Sequence, residues 1–401
     1  MQIAPILAAL KKHRMATFLI AMEIALACAV LCNALYLVTE RVRLSHVQSG
    51  VDEDRLVAIS LDGVTDDQAI DLAPRLRQRL AELPGVELVS VSSATPFGPQ
   101  TTEMGFRIDP NDPVFHLQGH FYLGDANFAR TLGLHLVSGR WFTPDDYAHV
   151  DGFLPKTSVV MVDADYAATL WPGQDPLGKV VISGNQTMRV VGVLARLVRP
   201  NPSPFATTNS FLMPTLPGTG LASVYLLRTA PGQAAEVFRR ATAVISHDER
   251  SVIINAQASG PLASLRDAYF ANARSMAMMM VGVIAALLLV SALGIVGLAS
   301  FWVQQRRQQI GIRRAIGATR GDILRYFQLE NFLIVGGGIV VGMMLAYVLS
   351  AVLMKQYELP LLPAYYLPYG ALILWLLGQL AVLGPARRAA AVPPVVATRN
   401  I

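Results

Sequence analysis

Four long apolar stretches stand out along the chain, and each is long enough to cross a membrane as a helix. A spanning helix needs about 20 mostly apolar residues. The windows that meet this length are residues 15–38, 276–301, 327–354 and 366–383. The pattern therefore predicts four transmembrane helices, with one large domain at 39–275 between the first and the second, and a short loop at 355–365 between the third and the fourth.

The large domain shows the alternation of strands and helices that is typical of an α+β fold. A strand, an amphipathic helix and a second strand are predicted in that order, and the order recurs near the end of the domain, at 56–61, 66–83 and 86–92 and again at 222–228, 232–246 and 251–256. Two such βαβ units commonly pair into one sheet backed by two helices. We predict that residues of about 50–119 and 201–265 form this part, and that 120–200 forms an inserted, β-rich subdomain.

Basic residues set the expected orientation of the helices. The segments 1–14, 302–326 and 384–401 carry three, six and three Lys/Arg, which makes 12, against the single acid Asp322. Cytoplasmic loops are enriched in Lys and Arg, so both termini and the 302–326 loop are expected in the cytoplasm and the large domain outside. A cleaved signal peptide at 15–38 is the alternative, but it would leave three spans and break this charge rule.

Composition agrees with a membrane protein. Hydrophobic residues make up 53% of the 401 residues and charged residues only 15%, whereas soluble domains carry about 25% charged residues. The net charge of +5 comes from the basic ends and the basic loop. It therefore does not indicate a surface for nucleic acid.

No catalytic or metal site is predicted. The sequence contains no P-loop, no G-x-S-x-G, no H-E-x-x-H and no C-x-x-C motif. His116 and His120 are four residues apart, but nearby Asp, Pro and Gly residues favour loop histidines over a metal pair. We expect a non-catalytic chain with no cofactor of its own.

Polar and small residues inside the apolar windows are a second set of candidates. Glu23 lies in the first window, where an intramembrane carboxylate is a functional candidate; a position near the membrane interface is the alternative. Cys28 and Cys32 are expected to pack inside the membrane. The third window contains Gly336, Gly337, Gly338 and Gly342, which either let helices approach closely or tolerate a bend.

The most informative stretch is the basic loop between the second and third windows. Apolar residues alternate there with six arginines, which predicts a basic amphipathic helix, a break at Gly317 and a second helix that begins near Thr319. Such a helix can lie on a membrane surface or bind in a groove on a partner protein.

Several short motifs resemble those of one transporter family. QIGIRRAIGA at 309–318 resembles the E-I-G-x-R-R-A-x-G-A signature of MacB-type, FtsX-like ABC transporter permeases. Further matches follow in the family's order: LPGV at 83–86, LGLHLVSGR at 132–140 with Phe142 and Asp145-Asp146, DPLGK at 175–179 with VVGV at 190–193, and PARRA at 385–389 with Pro394 and Arg399. The resemblance covers essentially the whole chain.

The resemblance implies a permease subunit that lacks a fused ATPase domain. It implies the bacterial inner membrane, a porter-like part in the external domain, and a second permease chain in a homodimer or heterodimer. A separate dimeric ABC ATPase would bind ATP and Mg²⁺. Membrane lipid is expected as a further partner. Whether a periplasmic adaptor and an outer-membrane channel also take part is not decided by the sequence.

The resemblance also implies where the ATPase binds. Residues 305–318, here called the coupling segment, would contact it through Arg306, Arg307, Gln309, Ile310, Gly311, Arg313, Arg314 and Gly317. ATP-driven closure would then reach the external domain by mechanotransmission, for export or extraction of an amphipathic, peptide or lipidated substrate. The alternative is an FtsX-like signal transmitter that regulates an external hydrolase or sensor. Gln309 departs from the family's acidic residue, which leaves the segment wholly cationic.

Overall fold

A computed structural model describes most of the chain. The described residues are 14–100, 102–112, 114, 117–202, 209–249, 251–357 and 361–391. The predictions that concern Lys11, Lys12, His116, Pro394 and Arg399 lie outside them. The described chain forms two compact units, one within Met1–Val42 and Ser275–Ile401 and the other at Arg43–Arg274.

Nine α-helices and fourteen strands occur in the described residues. In chain order they are α1 (Arg14–Ser45), β1 (Leu56–Asp62), α2 (Asp66–Ala81), β2 (Val86–Ser92), β3 (Thr102–Phe106), β4 (Leu117–Gly124), α3 (Phe128–Leu132), β5 (Leu136–Gly139), β6 (Val150–Asp151), β7 (Leu154–Pro155), β8 (Val159–Asp163), α4 (Ala164–Leu170), β9 (Val180–Ser183), β10 (Gln186–Leu194), β11 (Ser210–Pro214), β12 (Val224–Thr229), α5 (Ala234–Asp248), β13 (Ile253–Ile254), β14 (Gly260–Pro261), α6 (Leu262–Gln305), α7 (Arg307–Ala315), α8 (Arg320–Tyr357) and α9 (Tyr366–Ala390).

The Arg43–Arg274 unit, here called the α+β domain, contains the two predicted βαβ units. They interleave, because the strand order at one end of the sheet is β13-β1-β12-β2. Strand β12 is antiparallel to both β1 and β2, so β1 and β2 run parallel with β12 between them. This arrangement is the split βαβ of ferredoxin-like folds, and it confirms the predicted fold class.

The inserted part is not separate from the rest of the domain, contrary to the expectation for 120–200. The sheet continues from β2 into β4, β11, β8, β10 and β5, and Ser92 pairs with Gly124 at the junction. The expected limits also cut through the structure, since β4 begins before residue 120 and β11 lies beyond residue 200. Strands that pair across the junction share one hydrophobic core, so neither half has an independent interior.

Both faces of the sheet are covered. Alternate side chains of β1 point to opposite faces, as the period of two requires: Val57 and Ile59 join one buried cluster, and Leu56 and Ala58 join another. The first cluster includes side chains of α2, α4 and α5. The second includes Leu44, Phe128, Leu262 and Phe270, which come from α1, α3 and α6.

The other unit, here called the helical domain, contains the apolar helices. In the part of the chain that the structure describes, four helices are long and apolar enough to cross a membrane, at Thr17–Ser45, Leu262–Gln305, Arg320–Val352 and Tyr366–Ala390. The helices extend beyond the predicted windows, because hydropathy marks the apolar centre of a helix and not its polar ends. The largest difference is α6, which begins 14 residues before the window at 276.

Glycines allow α8 to approach α1 closely. A Cβ atom at Gly342 would lie 2.5 Å from Cys28 Cβ, and one at Gly338 would lie 2.8 Å from the Ala21 carbonyl oxygen. A Cβ atom at Gly336 or Gly337 would meet nothing within 4 Å. Close approach is therefore the role of two of the four glycines in the third window.

Candidate functional site

The coupling segment folds as a short helix between two longer ones, as predicted. Helix α7 ends where Gly317 adopts a φ of +104°, and its last carbonyl groups accept hydrogen bonds from Gly317 N to Arg314 O at 3.2 Å and from Ala318 N to Arg313 O at 3.0 Å. These two bonds form a Schellman motif. Helix α8 then begins with a capping box, in which Asp322 N donates to Thr319 Oγ1 at 3.2 Å and Thr319 N donates to Asp322 Oδ2 at 3.0 Å.

Two residues of α7 anchor it to its own chain. Ile310 and Gly311 are buried, and Ile310 packs in a cluster with Ile323 and Phe327 of α8 and Ala386 of α9. These two predicted coupling residues therefore hold the segment in place and are not available on its surface.

A buried ion pair fixes the start of the segment. Arg306 Nη1 lies 2.9 Å from both carboxylate oxygens of Glu330, and the two side chains are only 12% and 1% exposed. The guanidinium also lies 5.7 Å from the ring centroid of Trp302. Removing one partner of such a pair leaves a buried charge at a cost of about 3–5 kcal/mol.

Sequence reasoning missed the partner in this pair. Glu330 is 24 residues from Arg306 and lies at the edge of an apolar window, and no local pattern joins the two. The available signal was the presence of a carboxylate in a span, which needs a basic partner when it is buried. Arg306, predicted to contact an ATPase, is engaged within its own chain.

Two further predicted arginines also contact their own chain. Arg314 Nη1 donates to the Ala390 carbonyl oxygen at 3.1 Å, at the C-terminal end of α9 where cations are favourable. The Arg313 guanidinium lies 5.0 Å from the ring centroid of Tyr326. Arg313 remains exposed, so its guanidinium is accessible to a partner protein while it contacts Tyr326.

The remaining side chains form an exposed face of the coupling segment. This exposed face comprises Arg307, Gln309, Ile312 and Ile316, and the two isoleucines are 47% and 82% exposed. Positions 309, 312 and 316 fall on one side of the segment because they are three and four residues apart. Neither Ile312 nor Ile316 was among the predicted site residues.

Glu23 lies in a different environment. It is half-buried in α1, and its carboxylate packs against Gly294 of α6, where a Cβ atom would lie 2.8 Å from Glu23 Oε2. The glycine therefore leaves the space that the carboxylate fills.

Two sequence profiles match this chain. The MacB-like periplasmic core domain matches residues 16–260, and the FtsX-like permease C-terminal domain matches residues 281–394. The chain belongs to the MacB-like, FtsX-like permease family. With its four apolar helices, it is a multi-pass membrane protein of that family.

Individual relatives are similar over much of the chain. The macrolide export ATP-binding/permease protein MacB of Bartonella henselae is 26% identical over 98% of this chain and 58% of its own length. The uncharacterized ABC transporter permease YknZ of Bacillus subtilis is 26% identical over 66% of each chain. The chain thus spans little more than half the length of the MacB relatives that it matches at full coverage.

The solved structures that are similar to part of this chain include a periplasmic region. The periplasmic region of MacB from Actinobacillus actinomycetemcomitans aligns with a TM-score of 0.35 and 16% identity, over 51% of this chain and 90% of that one.

Proposed function

We propose that this MacB-like permease is the membrane subunit of an ABC transporter whose ATPase is a separate chain. The ATPase binds the exposed face of the coupling segment from the cytoplasmic side, and it also supplies the sites for ATP and Mg²⁺. The observation that supports this most directly is the exposure of Ile316. Its side chain is 82% exposed at the C-terminal end of α7, whereas Ile310 on another side of the same helix is buried. Ile316 lies on the same side of the segment as the exposed Ile312, and an apolar patch among basic residues is typical of a helix that binds in a groove on a partner protein.

The anchoring contacts support a transmitting role for the segment. Ion pairing at Arg306, the hydrogen bond of Arg314 and the burial of Ile310 tie the segment to α8 and α9. A push on the exposed face would therefore act on these helices and not merely bend a loop.

A second set of contacts, between the C-terminal end of α1 and the N-terminal end of α6, also supports mechanotransmission. Arg266, in the first turns of α6, donates to the Val47 carbonyl oxygen at 2.6 Å and to the Ser45 carbonyl oxygen at 3.2 Å. It also forms an ion pair with Glu53. The end of α1 and the beginning of α6 are thus joined inside the α+β domain, and we propose that movement of these two helices displaces the domain.

The transported substrate belongs to the proposal as well. We propose export or extraction of an amphipathic, peptide or lipidated molecule, because the α+β domain, which we expect on the outer side, would meet such molecules at the outer surface of the membrane that holds the permease. The MacB relatives bear the name of macrolide exporters.

Co-purification of the ATPase tests the proposed docking face. The double variant Arg307→Glu with Ile316→Asp changes two exposed residues whose side chains form no hydrogen bond or ion pair within the described residues. Loss of one hot-spot contact of about 2 kcal/mol predicts a roughly 30-fold weaker ATPase interaction. Ile70→Asp is the matched control, since Ile70 is 59% exposed on α2 of the α+β domain.

The two results are distinguishable. The proposal expects the double variant to reach the membrane at normal yield and to lose the ATPase, while Ile70→Asp retains it. Unchanged recovery of the ATPase with the double variant would show that the segment contacts only lipid headgroups.

A further inference from the structure

A cavity of about 420 Å³ opens in the α+β domain beside α3. Its size falls within the range of roughly 300–1,000 Å³ that is usual for small-molecule sites. The wall is made by the buried side chains of Phe128, Leu134 and Leu212, and the rim by Trp141, Phe142 and Tyr147. The cavity is therefore an apolar, mainly aromatic chamber.

The only acidic residue among the side chains that line the cavity is neutralised by its own chain. Asp125 is 3% exposed. Its carboxylate accepts hydrogen bonds from Ser90 Oγ at 2.7 Å and from Asn127 N at 3.1 Å, and it lies 3.2 Å from Arg77 Nη1. Asp125 consequently adds little negative potential for a ligand to overcome.

Unlike Asp125, the cationic side chain of Arg130 at the mouth of the cavity is not paired within the described residues. Arg130 and His135 line the cavity and are exposed, and the Arg130 side chain forms no ion pair or hydrogen bond among the described residues. Arg140 nearby is already paired with Asp146 at 2.6 Å. The mouth thus combines one uncommitted guanidinium with an apolar interior, and guanidinium groups match carboxylates in a two-pronged geometry.

We propose that this cavity binds a single-chain amphiphile with an apolar body and a carboxylate head group. The body fills the aromatic chamber and the carboxylate pairs with Arg130 at the mouth. The proposal deepens the proposed function by naming a ligand class for the α+β domain, and it requires neither an ATPase nor nucleotide.

Quenching of Trp141 fluorescence reports on this site. The full chain in lipid nanodiscs is titrated with 11-bromoundecanoate, whose bromine quenches tryptophan, and with the neutral 11-bromoundecanol. The same titrations with Trp141→Phe give the quenching of the other three tryptophans, and the difference isolates Trp141. Arg130→Gln tests the head-group contact, with Arg189→Gln, an exposed arginine outside the cavity, as its matched control.

We expect saturable quenching of Trp141 by the carboxylate. Arg130→Gln should weaken carboxylate binding about tenfold, the equivalent of one charged hydrogen bond, and should leave the alcohol unaffected; Arg189→Gln should change neither. Quenching that does not saturate, or equal affinity of the wild type for the two probes, would overturn the proposal. Since no nucleotide is present, these results are independent of whether the ATPase binds the coupling segment.

Discussion

Asp163 connects the end of β8 to the start of α4 through its buried carboxylate. Oδ1 accepts hydrogen bonds from Asp165 N at 2.9 Å and Tyr166 N at 3.1 Å, and Oδ2 accepts one from Leu197 N at 2.7 Å. Asp163→Ala removes an N-cap, worth about 1 kcal/mol, and leaves buried N–H groups unsatisfied at about 1–3 kcal/mol. We expect the free energy of unfolding to fall by about 2–4 kcal/mol.

Thermal unfolding of the purified chain in detergent measures this loss. Asp165→Ala is the control, because its exposed carboxylate forms only a surface ion pair with Arg196, worth less than about 1 kcal/mol. Equal shifts for the two variants would show that the buried hydrogen bonds do not stabilise the domain.

His120 makes the stability of the α+β domain dependent on pH. It was predicted in a loop, but it lies in β4 and is 2% exposed, because the sheet continues through the insert. Burial, together with the positive charge of Arg199, lowers the pKa of His120 from 6.5 to about 4. The unfolded chain therefore takes up a proton at a higher pH than the folded one.

Stability from this histidine is fully present above about pH 6.5 and is lost as the pH falls towards 4. A pKa shift of this size corresponds to a loss of at most about 3 kcal/mol. The Glu103 carboxylate, 3.8 Å from His120 Nε2, attracts the protonated imidazole and therefore reduces this loss. His120→Gln should flatten the dependence of the unfolding midpoint on pH in this window. His247→Gln, at an exposed site, should not, and identical slopes for all three proteins would contradict the assignment.

At the scale of helices, the glycines of α8 make a testable distinction. Gly342→Ala places a methyl group against Cys28 and Ala25 of α1, and overpacking of this kind costs about 1–3 kcal/mol. Gly337→Ala places the same methyl group in open space and should be neutral or slightly stabilising, because alanine favours helix. Unfolding midpoints in detergent compare the two; equal midpoints would mean that the glycines only tolerate a bend.

The elements show how far sequence patterns reach in this protein. The centres of the four apolar helices and the strands β1 and β2 follow from local periodicity, and so does the break at Gly317. The pairing of Ser92 with Gly124, which joins two halves of one sheet, depends on residues far apart in sequence. The ion pair of Arg306 with Glu330 also joins residues that are far apart in sequence, and no motif predicts it. The contacts that anchor the coupling segment could therefore be found only in the structure.

For the whole molecule, the charge rule predicts that the α+β domain is outside and the coupling segment inside. Cys28 and Cys32 are the only two cysteines in the sequence, so a variant with alanine at both positions is a background on which a single introduced cysteine can be labelled. We expect Lys156→Cys to react with an impermeant maleimide in intact cells, and Arg313→Cys to react only after permeabilisation. Reaction at position 313 in intact cells would show that the coupling segment lies outside, which is the opposite of the predicted topology.

Hydrogen exchange in the assembled complex tests the central claim, that ATP binding to a partner acts on the α+β domain. The chain is reconstituted in nanodiscs with an ATPase that binds but does not hydrolyse ATP, and exchange is compared with and without nucleotide. We expect ATP to change protection at residues 45–55 and 262–274, where Arg266 joins α1 to α6. ATP-dependent changes confined to the ATPase and residues 307–317, with residues 43–274 unaltered, would contradict mechanotransmission.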